Sequence, residues 1–214
     1  MSGRGSRVRA GRASRLRLRR ALATAERGAD LLERKLRLVL DRERSARRAA
    51  AGAGRMWRER LAEADTWLVR GVLLGGERAL TQAVPADRAR VEVRWAVLMG
   101  VRHPAAVSCT DAVRTAREPA PPNTALVLAE SAYRAAVRAG AEYAAHHAAA
   151  ELLAAEAERT RRRVRALRRH WIPRLRHELA AVELALEESE HEEAVRRRWA
   201  ASQGAQRPRH GEHS

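Results

Sequence analysis

The sequence predicts an all-α-dominated protein: a long antiparallel two-helix coiled coil with a small central head containing a short β-hairpin. Three observations predict it. Alanine and arginine supply 46 and 42 of the 214 residues, and both are strong helix formers. Aromatic residues are only 3% of the chain and phenylalanine is absent, too few large rings for a compact globular core. The seven prolines, at 85, 104, 119, 121, 122, 173 and 208, leave the stretches 1–84 and 123–172 free of a residue that costs a helix interior ~3 kcal/mol.

The elements follow in chain order. Residues 1–13 read as a basic, Gly/Ser-containing tail. Ser14 is a candidate N-cap for a helix over 14–70. Its apolar residues Leu18, Leu22, Ala25, Ala29, Leu32, Leu36 and Val39 advance in alternating steps of four and three, the 3.5-residue repeat of a coiled-coil seam. The repeat weakens near Gly52 and Gly54 and resumes through Leu61, Ala64 and Leu68. Gly71, Gly75 and Gly76 are read as the break into a head over 71–122, followed by a short apolar helix-like piece and then Pro85. There Val91, Val93, Trp95 and Val97 alternate as one face of a strand. Gly100 and Pro104 mark a turn, and Ala105–Thr110 returns as a second strand. A second helix is expected over 123–200, capped by Asn123 or Thr124. Its seam runs Leu153, Ala157, Thr160, Val164, Leu167, Trp171, and on through Leu175, Leu179, Val182 and Leu186. Three consecutive steps of four around Trp171 read as a stutter, and Pro173 is expected to bend the helix there. Residues 201–214 read as a disordered tail.

The charge balance, 43 basic against 26 acidic residues, implies an acidic partner: nucleic acid, anionic lipid or an acidic protein surface. Residues 1–60 alone hold 19 basic and 6 acidic residues. The sparse aromatics and the acids recurring along the helix, Glu26, Asp30, Glu33, Asp41 and Glu43, weigh against nucleic-acid binding, which favours interleaved stacking rings. A basic coiled-coil scaffold or a nucleic-acid-binding protein is the alternative reading. The single Cys109 excludes an intramolecular disulfide, and it is assigned to packing in the head. No apolar run approaches the ~20 residues of a membrane span, so no direct membrane insertion is expected. The only lysine, Lys35, lies in a heptad helix, so a Gly-x4-Gly-Lys-Ser/Thr phosphate loop is absent. His146 and His147 lack further metal ligands at helical spacing. The acidic run Glu187–Glu193 is expected to pair with first-helix arginines rather than to do acid–base chemistry. No cofactor, metal or catalytic residue is expected.

The stretch 161–198 carries a more specific pattern: Arg162, Arg163, Val164, Ala166 and Leu167, then Ile172, Pro173 and Leu175, then a Glu-rich helix. It resembles the C-terminal signature of the D-subunit family of A/V-type rotary ATPases. Arg165 stands where that family usually has Asn. The central Val91, Val93, Met99, Gly100, Val101 and Pro104 resemble the family's head. The resemblance covers about 14–200. It implies a non-catalytic central rotor-stalk subunit that couples ion translocation through a membrane ring to ATP synthesis or hydrolysis. The implied partners are the catalytic and regulatory subunits of the hexamer, the F-subunit and the membrane-ring socket subunit, with no nucleic acid. The implied location is peripheral, on the cytoplasmic face of the cell membrane, within a proton- or sodium-transporting complex. On this resemblance Arg162–Leu175 is the structural and coupling motif, and the excess positive charge would steer the shaft inside an acidic hexamer cavity.

Overall fold

A computed structural model describes residues 11–85 and 87–205. Most of the expected tails, 1–13 and 201–214, lies outside these residues, although 12–13 and 201–205 are helical. The order is α1 (Arg12–Ala83), β1 (Arg90–Leu98), β2 (Val101–Thr110), α2 (Thr124–Ala166), a π-turn (Leu167–Trp171) and α3 (Ile172–Ala205). The fold class agrees with the expectation: 79% helix, a long helix at each end and a two-stranded antiparallel hairpin between them.

The residues group into two compact units, one of the chain up to Glu33 with the chain from Arg162 onward, the other Arg34–Arg161. In the first, Leu18, Ala25 and Ala29 of α1 form a core with Ile172, Leu175 and Val182 of α3. Ion pairs flank this seam: Arg12 with Glu190 at 3.1 Å, Arg19 with Glu183 at 2.5 Å and Glu26 with Arg176 at 2.6 Å. Each rung lies seven residues further along α1 and seven residues back along α3. The helices are therefore antiparallel and in heptad register.

In the second unit, Val39 and Ala46 of α1 pack with Ala149, Ala150, Leu153 and Ala157 of α2. Helix continues past residue 70, where the head was expected, as far as a kink at Gly76; the short helical piece expected before Pro85 follows it to Ala83 and completes α1. Gly71 and Gly75 do not break it. A Cβ at Gly71 would stand 2.5 Å from Leu126 Cδ2, so this glycine serves close approach of α2 and not chain reversal. The single non-helical position is Gly76, with φ 69° and ψ −179°, a conformation that favours glycine. Gly54 also stays helical and buried, with the Tyr143 ring 3.1 Å from where its Cβ would be.

The hairpin corrects a second expectation. Sequence reading puts the turn between Gly100 and Pro104, with the return strand from Ala105. The chain instead turns on Met99 (φ 50°) and Gly100 (φ 82°), and β2 resumes at Val101. A two-residue loop with positive φ at both positions matches the strand twist and needs no further residues. Pro104 lies within β2 opposite Trp95, beside an irregularity that leaves Ala105 unpaired. A proline is tolerated at such a bulge. At the turn end, Leu98 and Val101 pack on the Val39–Leu153 core.

Candidate functional site

The C-terminal motif centres on the π-turn. The seam of α2 and α3 runs Leu153, Ala157, Thr160, Val164, Leu167, then Ile172, Leu175, Leu179, Val182 and Leu186. Leu153, Ala157, Thr160, Ile172, Leu175 and Val182 are buried and the others are half-buried. One step, Leu167 to Ile172, spans five residues. The π-turn absorbs the extra residue, with the Ile172 N–H donating to the Leu167 carbonyl five positions back. This corrects the stutter reading: Trp171 is half exposed and off the seam, with Arg174 stacked over it at 5.8 Å. Pro173 follows at once, exposed, and has no N–H to donate back to the turn.

The remaining motif residues point outward. Arg162, Arg163 and Ala166 are exposed. Beside them Arg168 donates from Nε to Glu33 Oε1 at 2.9 Å and from Nη2 to Asp30 Oδ1 at 2.5 Å. These hydrogen bonds, to Glu33 first and Asp30 second, raise its already high pKa further. Of the head residues, Val91, Val93, Met99 and Gly100 are exposed, Val101 is half-buried and Pro104 is buried.

Within the second unit the helices are locked by two glycines and two rings. Trp57 and Tyr143 stack at 5.5 Å between ring centres and 13° between planes. Trp57 lies against Gly140 and Tyr143 against Gly54. His147 meets the Tyr143 ring edge-on at 5.6 Å. Nearby, Lys35 Nζ donates to Glu156 at 2.6 Å, and this hydrogen bond holds the Glu156 carboxyl below its usual range. Tyr133 donates its hydroxyl to Asp65 at 2.5 Å; burial first, and then this hydrogen bond, raise it to about 12.

Two residues tie α1, the hairpin's return loop and α2 together. Asn123 Oδ1 caps α2 by accepting from the Leu126 N–H at 2.9 Å, while its Nδ2 donates to the Gly71 carbonyl at 3.0 Å. Arg114 donates to the Ala83 carbonyl at 2.5 Å, the Pro119 carbonyl at 2.8 Å and Glu130 at 3.0 Å. It thereby satisfies a carbonyl left unpaired at the end of α1. Sequence reading foresaw the Asn123 cap but missed Arg114, whose partners lie up to 31 residues away. Beside these anchors opens an apolar cavity of about 310 Å³ lined by Leu68, Leu80, Val84, Leu126, Tyr133 and Val137. Leu73, 80% exposed, and Leu74, 73% exposed, stand on α1 in the same stretch.

Among the described residues no group of three or more His, Cys, Asp or Glu side chains is placed to hold a metal. What the geometry offers is matched helices, a hairpin whose first strand is exposed, and two exposed leucines, Leu73 and Leu74, on α1. In comparisons with known proteins, the model of the family described as the ATP synthase D-subunit matches residues 14–202. No curated protein matches the chain.

Proposed function

The chain belongs to the ATP synthase D-subunit family, and from that premise we propose that it is the central rotor shaft of an A/V-type rotary ATPase. Membership makes it a stalk subunit of a rotary ATPase, associated with other ATP synthase subunits in a membrane-associated complex. No helix among the described residues is long and apolar enough to cross a membrane. In the proposed role the chain is not itself a catalyst. It turns inside the hexamer of catalytic and regulatory subunits and couples H⁺ or Na⁺ translocation through the membrane ring to ATP synthesis or hydrolysis.

The observation that carries this reading is the pairing of Arg12–Glu33 with Arg162–Glu190: a continuous apolar seam flanked by ion-pair rungs in one register. A shaft must resist sliding and twisting of its two helices, and interlocked side chains with matched rungs supply that resistance. We assign this unit to the hexamer cavity, where the chain's positive charge would meet acidic walls. We assign the unit that holds the hairpin to the F-subunit and the membrane-ring socket subunit. The exposed Leu73 and Leu74 of α1 support a hydrophobic seat for the socket.

Affinity purification of the tagged chain from solubilised membranes, after nuclease treatment, tests the proposal by mass spectrometry. The expected result is co-purification of large phosphate-loop ATPase subunits with a small stalk subunit. Recovery of nucleic-acid machinery alone, lost on nuclease treatment, would overturn it. The double variant Leu73→Glu/Leu74→Glu is expected to keep the hexamer subunits and lose the membrane-ring components.

A further inference from the structure

Strand β1 is an open sheet edge. Residues 90–95 are all exposed, as is Val97. The hairpin's other strand is covered: His103 and Pro104 of β2 are buried, and Pro104–Val107 border a cleft with Glu142, Ala145 and His146 of α2. In a hairpin closed by a two-residue loop, the closing pair exchanges both backbone hydrogen bonds. Here that pair is Leu98 and Val101. The even-numbered residues of β1 therefore direct their backbone groups at β2. The N–H and C=O groups of Val91, Val93, Trp95 and Val97 face away from it. The bulged residue, Ala105, belongs to β2, so this alternation continues unbroken along β1.

The same four residues share one face of the strand, where their exposure runs from 40% at Val93 to 69% at Val97. Arg102 of β2, paired opposite Val97, lies over the Trp95 ring at 4.7 Å. The opposite face carries Arg90, Glu92 and Arg94, and neither arginine makes an ion pair among the described residues. Edge strands are normally blunted by charged side chains, proline or a bulge on the edge itself. Here the proline and the bulge are on β2, and the charges of β1 all lie on the face opposite Val91–Val97.

We infer that β1 is a β-addition site that accepts, antiparallel, an extended segment of another protein in which aliphatic residues alternate with carboxylates. The added strand's aliphatic side chains lie on the Val91–Val97 face, and its carboxylates lie beside Arg90 and Arg94. Backbone bonds to the four outward residues give affinity, and the alternation gives specificity. Charge selects the occupant: a second copy would bring another +17 chain to the edge, whereas an acidic segment is attracted. This inference stands on the hairpin alone and is independent of the rotor reading.

The test uses the full-length chain and a fluorescent peptide of alternating valine and glutamate matched in length to β1, with binding followed by anisotropy. In antiparallel pairing the peptide's valine N–H groups face β1 and its glutamate N–H groups face away. N-methylation at valine is expected to weaken binding at least ~tenfold, and N-methylation at glutamate to leave it within ~twofold. Val93→Pro removes an outward N–H and no bond to β2, and is expected to weaken binding at least ~tenfold with an unchanged far-ultraviolet circular dichroism spectrum. The peptide arms keep the test decisive even where that variant misfolds. Absence of binding, or binding indifferent to N-methylvaline, would overturn the inference. So would a peptide-free dimer in sedimentation equilibrium that Val93→Pro abolishes, because the occupant would then be a second copy.

Discussion

Removing Arg169 from the π-turn should leave the α3 seam in place, although a one-residue deletion inside a helix normally rotates everything beyond it by roughly 100°. Arg169 is exposed. Its deletion shortens the Leu167-to-Ile172 step from five residues to four, which restores the regular alternation and lets an α-turn replace the π-turn. Ile172, Leu175, Leu179, Val182 and Leu186 then stay on the seam. The first, second and fourth of these are buried and the other two are half-buried. At ~1.5–3 kcal/mol for a fully buried aliphatic side chain, and half that for a half-buried one, roughly 6–12 kcal/mol depends on keeping them there. That is comparable to the whole stability of a typical domain, about 5–15 kcal/mol.

Proline supplies the discriminating variant. Once the turn is α-helical, Pro173 meets the ordinary cost of an interior proline, ~3 kcal/mol. Deletion of Arg169 alone should therefore cost about that much, and deletion combined with Pro173→Ala should recover most of it. Deletion of the exposed Arg174 is the control. It leaves the five-residue step and turns Leu175, Leu179, Val182 and Leu186 off the seam, at roughly 4–9 kcal/mol. Pro173→Ala by itself keeps the five-residue step and should keep the π-turn. Urea unfolding followed by circular dichroism, with hydrogen exchange over 172–190, reads all four variants. If the Arg169 deletion with Pro173→Ala loses protection as completely as the Arg174 deletion, the five-residue seam step is not what the π-turn serves.

Other expectations concern single residues. Gly71→Ala should destabilise by ~1–3 kcal/mol, because its Cβ would meet buried Leu126 at 2.5 Å; Gly28→Ala and Gly52→Ala, with nothing within 4 Å, should stabilise by ~1 kcal/mol each in thermal melts. Asn123→Ala should cost ~1–2 kcal/mol by uncapping α2, and Asn123→Asp should recover the cap without the bond to the Gly71 carbonyl. The Lys35 hydrogen bond lowers the Glu156 carboxyl from 4.5, so the pair's contribution is present above pH 4.5 and is lost as pH falls through the lowered folded value; Lys35→Met should flatten this part of the acid-unfolding curve. Tyr133 is raised from 10.0 to about 12, so its contribution is present below pH 10 and is lost between pH 10 and 12. Asp65→Asn should move the phenol's absorbance titration downward.

The helical class was legible because the seam residues Leu18 to Val39 and Leu153 to Leu167 repeat on a period that only paired helices use. Periodicity failed where two neighbouring residues compete for one seam position. A step of four from Leu167 lands on Trp171, the larger apolar side chain, and only packing shows that Ile172 is the one buried. Glycine misled for a related reason. Gly71 reads as a helix break along the chain, but its role depends on Leu126, 55 residues away on the facing helix. Pro104 reads as a turn, yet a strand bulge accepts it. Arg114 carried no signal, because an arginine in a proline-bearing loop does not disclose that the Ala83 carbonyl needs a donor.

The ion-pair rungs beside Leu18–Ala29 solve a problem that the seam cannot. Ala25 and Ala29 occupy positions where a seven-residue slip of one helix past the other would still bring apolar residues together, so burial discriminates weakly between registers. The charges do discriminate, because their order inverts along the pair: α1 contributes the cation at Arg12 and Arg19 but the anion at Glu26, Asp30 and Glu33. A slip of seven residues one way sets Arg19 against Arg176, while Arg12 meets Glu183 and Glu26 meets Arg169. The opposite slip sets Glu26 against Glu183 and Arg12 against Arg197, while Arg19 meets Glu190. Exposed pairs are each worth only ~0.2–1 kcal/mol, so the rungs add little to net stability. Of the three rungs, one turns repulsive in one direction and two in the other, so the charges separate the registers by about one or two such increments, where the alanine seam separates them hardly at all. If the chain turns as the rotor shaft proposed above, sliding of one helix along the other is the deformation that would dissipate torque. The inverted charge order opposes that deformation while adding almost no apolar bulk to the shaft.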